Sequence, residues 1–188
     1  MAEGRAAVAA GLQAALLLAR GRPEGLRYVD TALPGAARSF WAAAICLPIF
    51  AFLRVLDWTD GAMPAHPGHA FALDLLGYAI GWAGFALATR PLVARLGRDD
   101  RWPHFIAAWN WCNVAQYVLL LVASVPEILD APAIVQQVVG LVALGWALWL
   151  EWYATRLTLD IPTLPAIALV ALDVAIGVLV AGVSGAIG

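Results

Sequence analysis

A chain of 188 residues that is 63% hydrophobic and only 13% charged, with a mean hydropathy of +0.81, is too apolar for an ordinary soluble domain. Its net charge of -2 hides a pattern: every basic residue is an arginine, and the arginines cluster in particular loops, which bears on membrane topology and argues against a nucleic-acid partner. Cys46 and Cys112 are the only cysteines, and both lie in apolar runs, where a reduced, buried filler is the expected role and a disulfide is not.

In chain order, the first feature is the run AAVAAGLQAALLLA (6–19), which has the length of a signal-peptide core. Export of the chain beyond it would place RGRPEGLR outside the membrane, against the charge pattern. Residues 1–38 are therefore expected to form a cytoplasmic segment with an amphipathic, interfacial helix. Five runs near the roughly 20 residues needed to cross a bilayer come next, at about 39–57, 70–89, 103–125, 133–154 and 164–187. Turn chemistry separates them: DGAMPAHPGH, TRP with RWP, VPEILDAP and LDIP. The fold class expected is an all-α polytopic membrane bundle of five transmembrane helices, occupying 39–188 as one domain.

Charge sets the expected orientation. Loops 58–69 and 126–132 lack arginine and carry acids, namely Asp60, Glu127 and Asp130. The N-terminal segment has Arg5, Arg20, Arg22, Arg27 and Arg38, the second loop has Arg90, Arg95, Arg98 and Arg101, and Arg156 lies beyond the fourth span. The positive-inside rule then gives a bacterial inner-membrane protein with a cytoplasmic N-terminus and an outside C-terminus.

Polar residues inside the spans fall on stripes when helices are plotted at 100° per residue. Asp74 shares one with Gly77, Gly81 and Gly84, and Gly77-x-x-x-Gly81 is a motif that lets another backbone come close. Asp173 shares another with Ala166, Gly177 and Ser184, so Gly77, Gly81, Gly84 and Gly177 are expected helix-packing positions, and these small-residue stripes favour an association protein. In the fourth span Gln136, Gly140, Ala143, Ala147 and Glu151 lie opposite Trp146, Trp149 and Trp152. Arg54 and Asp74 sit at similar depth near the outer ends of the first two spans, so they are a candidate ion pair, either a lock between helices or part of an ion-handling site. Asn110, Asn113, Gln116 and Tyr117 cover about a third of the third span's circumference, at a depth that brings Asn110 and Asn113 near Asp173. This candidate site has two open readings: an interhelical hydrogen-bond network, or the wall of a proton- or solute-handling cavity. Pro48 is expected to kink the first span.

Other signals are thin. His66 and His69 form an H-x-x-H in a Pro/Gly-rich loop without a scaffold to hold a tetrahedral ion, so no metal is expected. Nucleotide, hydrolase, zinc and redox motifs are absent, and no cofactor is expected.

The runs LLLARGRPEGLRYVD, RSFWAAAICLPIF, FIAAWNWCNVAQ, WYATRLTLDIP and ALVALDVAIGVLV together resemble a family of uncharacterised alphaproteobacterial five-span inner-membrane proteins. The plan of an amphipathic N-terminal segment and five spans is similar to the Yip1 superfamily, whose eukaryotic members are associated with membrane traffic. The resemblance implies an integral membrane protein and supplies no site residues. The leading expectation is a non-enzymatic association or assembly protein, partnered by the lipid bilayer and by a second copy or another membrane protein. The alternative is a small transporter or channel built around Asp173.

Overall fold

In the computed structural model, which describes residues 2–61 and 63–187, the chain is an all-α bundle. The side chains of residues 2, 3, 60, 186 and 187 lie outside the description, and with them the acid expected at Asp60. The helices are α1 (Ala2–Leu18), α2 (Leu33–Ser39), α3 (Trp41–Asp60), α4 (Pro67–Arg95), α5 (Trp102–Ala123), α6 (Val125–Ile128), α7 (Ala133–Leu159) and α8 (Thr163–Ile187). Five stretches are long and apolar enough to cross a membrane: Leu33–Thr59, Pro67–Arg95, Asp99–Ile128, Ala133–Leu159 and Thr163–Gly185.

Four of these stretches run several residues past their sequence boundaries. The α4 helix continues to Arg95 and α7 to Leu159, because an arginine ends a hydropathy window without ending a helix. Arg90 instead lays its guanidinium over the Trp102 ring at 5.4 Å, and Arg156 lies over Trp152 at 5.1 Å. The first span begins at Leu33, since α2 runs into α3 with only Phe40 between them, so the segment 1–38 contributes to that span. The α3 helix passes through Pro48. Pro48 deprives the Ala44 carbonyl of its usual partner, and one residue earlier the Tyr78 hydroxyl donates to the Ala43 carbonyl at 2.7 Å.

Helix ends obey local chemistry. At the end of α4, Gly97 adopts φ +70°, its N–H donates to the Ala94 carbonyl at 2.9 Å and that of Arg98 to Val93 at 3.1 Å, a closing pattern that suits glycine. Gly21 (φ +71°) closes α1 in the same way, with Arg22 N–H donating to Leu17 at 3.0 Å. Asp160 ends α7 at φ 51° and is gripped from the α4–α5 turn: Arg98 donates to its carbonyl at 2.9 Å and lies 3.3 Å from its carboxylate.

The centre of the bundle is α5. Phe105 through Cys112 are all buried, because α1, α2, α3 and α7 pack around this helix. The remaining neighbour, α4, is spaced from α5 by rings: Phe85 stacks on Trp109 at 4.4 Å and Trp82 meets Trp109 edge-on at 5.4 Å. The α1 helix lies across the bundle. Its Gly11 seats against Trp111, Ala14 packs with Ala107 and Ala108, and Leu18 reaches Cys112, Leu150 and Ala154. Beyond it, the Tyr153 hydroxyl donates to the Gly21 carbonyl at 2.8 Å, which ties α1, a collar on the bundle, to α7. The α8 helix packs on α4 and α7.

Candidate intramembrane site

A cavity of about 310 Å³ opens between α3, α4, α5 and α8. Its rim carries Arg54, Asp74 and Ser184; its deep end carries Trp82, Trp109, Asn113 and Asp173. Along α8 the eleven-residue step from Ser184 to Asp173 corresponds to about 16 Å of depth. Phe50, Tyr78 and Tyr117 supply the rings between rim and floor.

At the rim, Arg54 Nε lies 3.0 Å from Asp74 Oδ2, and Arg54 Nη1 donates to Asp57 Oδ2 at 3.1 Å. Asp74 is only 12% exposed, so Arg54 is its necessary counter-charge, while Asp57 at 58% is well solvated. The guanidinium also stands 6.0 Å from the Phe50 ring centre. The residues expected to pair are thus brought together, at the cavity entrance.

The polar flank of α5 divides three ways. Asn110, fully buried, donates from Nδ2 to the Ser39 hydroxyl of α2 at 2.7 Å, and its Oδ1 has no hydrogen-bond partner among the described residues. Gln116 donates to the Ala147 carbonyl of α7 at 2.9 Å. Asn113 and Tyr117 line the cavity, with Asn113 Nδ2 held by the Trp109 carbonyl of its own helix at 3.0 Å and Tyr117 edge-on to Tyr78 at 6.2 Å. The expectation that Asn110 joins Asp173 is therefore corrected: Asn110 secures α2 and lies outside the site. The physical reason is the central place of α5, whose flank of about 120° meets three neighbours.

What meets Asp173 is Glu151 of α7, with the Trp109 indole beside both. Glu151 is 4% exposed and Trp109 5%. The three approach closely but the contact is poorly directed, for neither Glu151 Oε1 nor Trp109 Nε1 has an aligned hydrogen-bond partner among the described residues. Glu151 is on the inward stripe of its span, and Trp109 lies on the wheel between Asn113 and Gln116. Both signals are present in the sequence, one hidden because a small-residue stripe reads as packing and the other by the apolar character of tryptophan.

The small residues separate likewise. A Cβ on Gly77 would come within 2.7 Å of Val180 Cγ1 and 3.3 Å of Ser184 Oγ, so Gly77 lets α4 and α8 close on each other. Gly81 and Gly177 have nothing within 4 Å of such a Cβ, and both line the cavity; Gly84 has only Ile80 of its own helix at 4.0 Å. Helix packing, expected of all four, is the role of Gly77 alone. His66 and His69, at the start of α4, are exposed. Among the described residues, no three His, Cys, Asp or Glu side chains are grouped as metal ligands would be. Compared with protein-family models, curated proteins and solved structures, the chain matches none.

Proposed function

We propose that this protein is a small transporter of a bacterial inner membrane, which receives a solute in the cavity ending at Asp173. The observation that carries this reading is a partly open cavity leading from a neutralised rim, Arg54 with Asp74, to a carboxyl pair within the hydrocarbon-spanning part of the bundle. Ionisable groups at that depth are costly and are characteristic of solute and ion pathways. Gly81 and Gly177, which as small-residue stripes favoured an association protein, here leave room for a ligand rather than for another backbone. By the distribution of arginine, the rim faces outward and the collar α1 lies at the cytoplasmic side.

A transport site must communicate with water, which thiol labelling tests directly. Cys46 and Cys112 are buried, so the native background is low. Cysteines introduced singly at Ser184, Ala181 and Gly177 are expected to react with a membrane-impermeant thiol reagent at rates falling with depth. Leu179→Cys, on an exposed apolar face of α8, serves as the lipid-facing control. If the three cavity positions react no faster than that control, the cavity is dry and the transporter reading fails.

A further inference from the structure

We propose that the ligand of this cavity is a small organic ammonium ion, bound at Asp173 in exchange for a proton held by the Asp173–Glu151 pair. The inference rests on the transporter reading and adds the chemical class of the solute.

Charge excludes an anionic ligand first. Among the described residues Arg54 is the only cation on the cavity wall, and it is already engaged by Asp74 and Asp57. Neither lysine nor histidine is among the residues that line the cavity. The titratable groups of α5 that face the pair are Tyr117, toward Asp173, and Cys112, toward Glu151, and neither is a cation. Two carboxyl groups in contact inside a membrane need a proton or a cation between them, and the described bundle supplies no cationic side chain there.

The wall then selects the kind of cation. Phe50 and Tyr78 have ring centres 4.6 Å apart, Tyr78 and Trp82 5.9 Å, and Trp82 and Trp109 5.4 Å, so the lining is a nearly continuous aromatic surface. Ring faces attract alkylammonium groups, and the cavity volume of about 310 Å³ is at the small end of ligand pockets. A desolvated inorganic ion would ask instead for several oxygen ligands around it, and at the deep end the wall sets only Asn113 and two tryptophans beside Asp173.

The unpartnered atoms fit an exchange. Among the described residues Glu151 Oε1 is an acceptor without a donor, and Trp109, whose indole lines the cavity, carries at Nε1 a donor without an aligned acceptor. A proton on the pair satisfies the acceptor; with an ammonium ion at Asp173, the Trp109 N–H has a carboxylate to receive its bond. In the exchange one carboxyl O–H bond breaks, its proton leaves to water, and one unit of positive charge enters, so the site keeps its charge. By linkage, protons and ammonium must then weaken each other's binding by the same factor.

The test uses the full-length protein in detergent and in lightly buffered solution, titrated with tetraethylammonium chloride against sodium chloride at equal ionic strength. The expected result is a saturable change in tryptophan emission with tetraethylammonium only. Release of about one proton per site should accompany it, read with an indicator dye. Affinity is expected to fall at least tenfold in Asp173→Asn, to recover in part in Asp173→Glu, and to weaken as the solution is acidified. Proton release is expected to be lost in Glu151→Gln. A thermal melt of each variant separates loss of binding from loss of fold, and the acidification series needs no variant at all. Absence of saturation, equal affinity in a folded Asp173→Asn, or binding indifferent to pH would each overturn the proposal. Labelling at Ser184→Cys without tetraethylammonium binding sinks this inference and leaves the transporter reading intact, whereas no labelling sinks both.

Discussion

A single methyl group distinguishes the glycines of α4 and α8. At Gly77 an added Cβ meets Val180 at 2.7 Å, a contact that forces the helices apart; at Gly81 and Gly177 it meets empty cavity. Gly77→Ala is therefore expected to destabilise the bundle by about 1–3 kcal/mol, the usual range for overpacking, while Gly81→Ala is neutral or slightly stabilising through its better helix propensity. Thermal or denaturant unfolding in detergent checks both; equal effects at the two positions would contradict the geometry. Asp160 offers a second contrast, because its φ of 51° and its contact with Arg98 push in opposite directions. The ion pair is exposed and contributes about 0–1 kcal/mol, whereas left-handed backbone costs an ordinary residue about 1–2 kcal/mol. Asp160→Gly is thus expected to be at least as stable as the native protein and more stable than Asp160→Ala by about 1 kcal/mol, measured by the same unfolding curves, and an Asp160→Gly protein less stable than the native one would show the Arg98 contact to outweigh the backbone.

Helices are easier to read in a sequence than their neighbours. Length and apolarity alone locate five spans, since only a hydrogen-bonded helix tolerates hydrocarbon. Which side of α5 faces which helix depends on assembly, so Asn110, Asn113 and Gln116 read as one flank and yet serve three different interfaces. Asp173 is legible as a candidate site residue because an acid in a span is rare, and the Arg54–Asp74 pair because both lie at one depth. Glu151 and Trp109 do not join them in the sequence, since a periodic stripe gives direction without naming the helix it meets. The same limit hides the seat of α1: the run 6–19 reads as a surface helix, but nothing local says that Gly11 must admit Trp111. That seat yields a prediction. Gly11→Leu is expected to lift α1 from α5 and expose Cys112, which is 1% accessible and lies under Leu18. Maleimide labelling of Cys112 should then rise severalfold, while Cys46, which faces Tyr78 and Tyr117, stays unreactive; unchanged labelling would mean that the collar tolerates the intrusion.

At the scale of the whole molecule, charge is distributed along the bundle axis more unevenly than its net value suggests. Every arginine except Arg54 belongs to α1 and its connection to α3, to the α4–α5 turn and its flanks, or to the last turns of α7, all of which gather in one half of the bundle. Arg98 and Arg101 converge on Asp160 there, at 3.3 and 3.6 Å from its carboxylate, so the turns of this end are also tied together. The opposite end presents the last turn of α3 with the α3–α4 connection, and the α6–α7 connection, and these two stretches carry acids and no arginine. Insertion retains arginine-rich loops in the cytoplasm, so the cavity rim at Arg54 and Asp74 is expected to face outward. Alkaline phosphatase fused after residue 130 or after Gly188 is expected to be active in cells, and the same enzyme fused after Gly97 or Asp160 inactive; green fluorescent protein should give the complementary pattern. The inverted pattern would turn the rim toward the cytoplasm. The cavity, its carboxyl pair and its aromatic wall would be unchanged, but the solute would then be loaded from inside the cell, and the direction of exchange with protons would reverse accordingly.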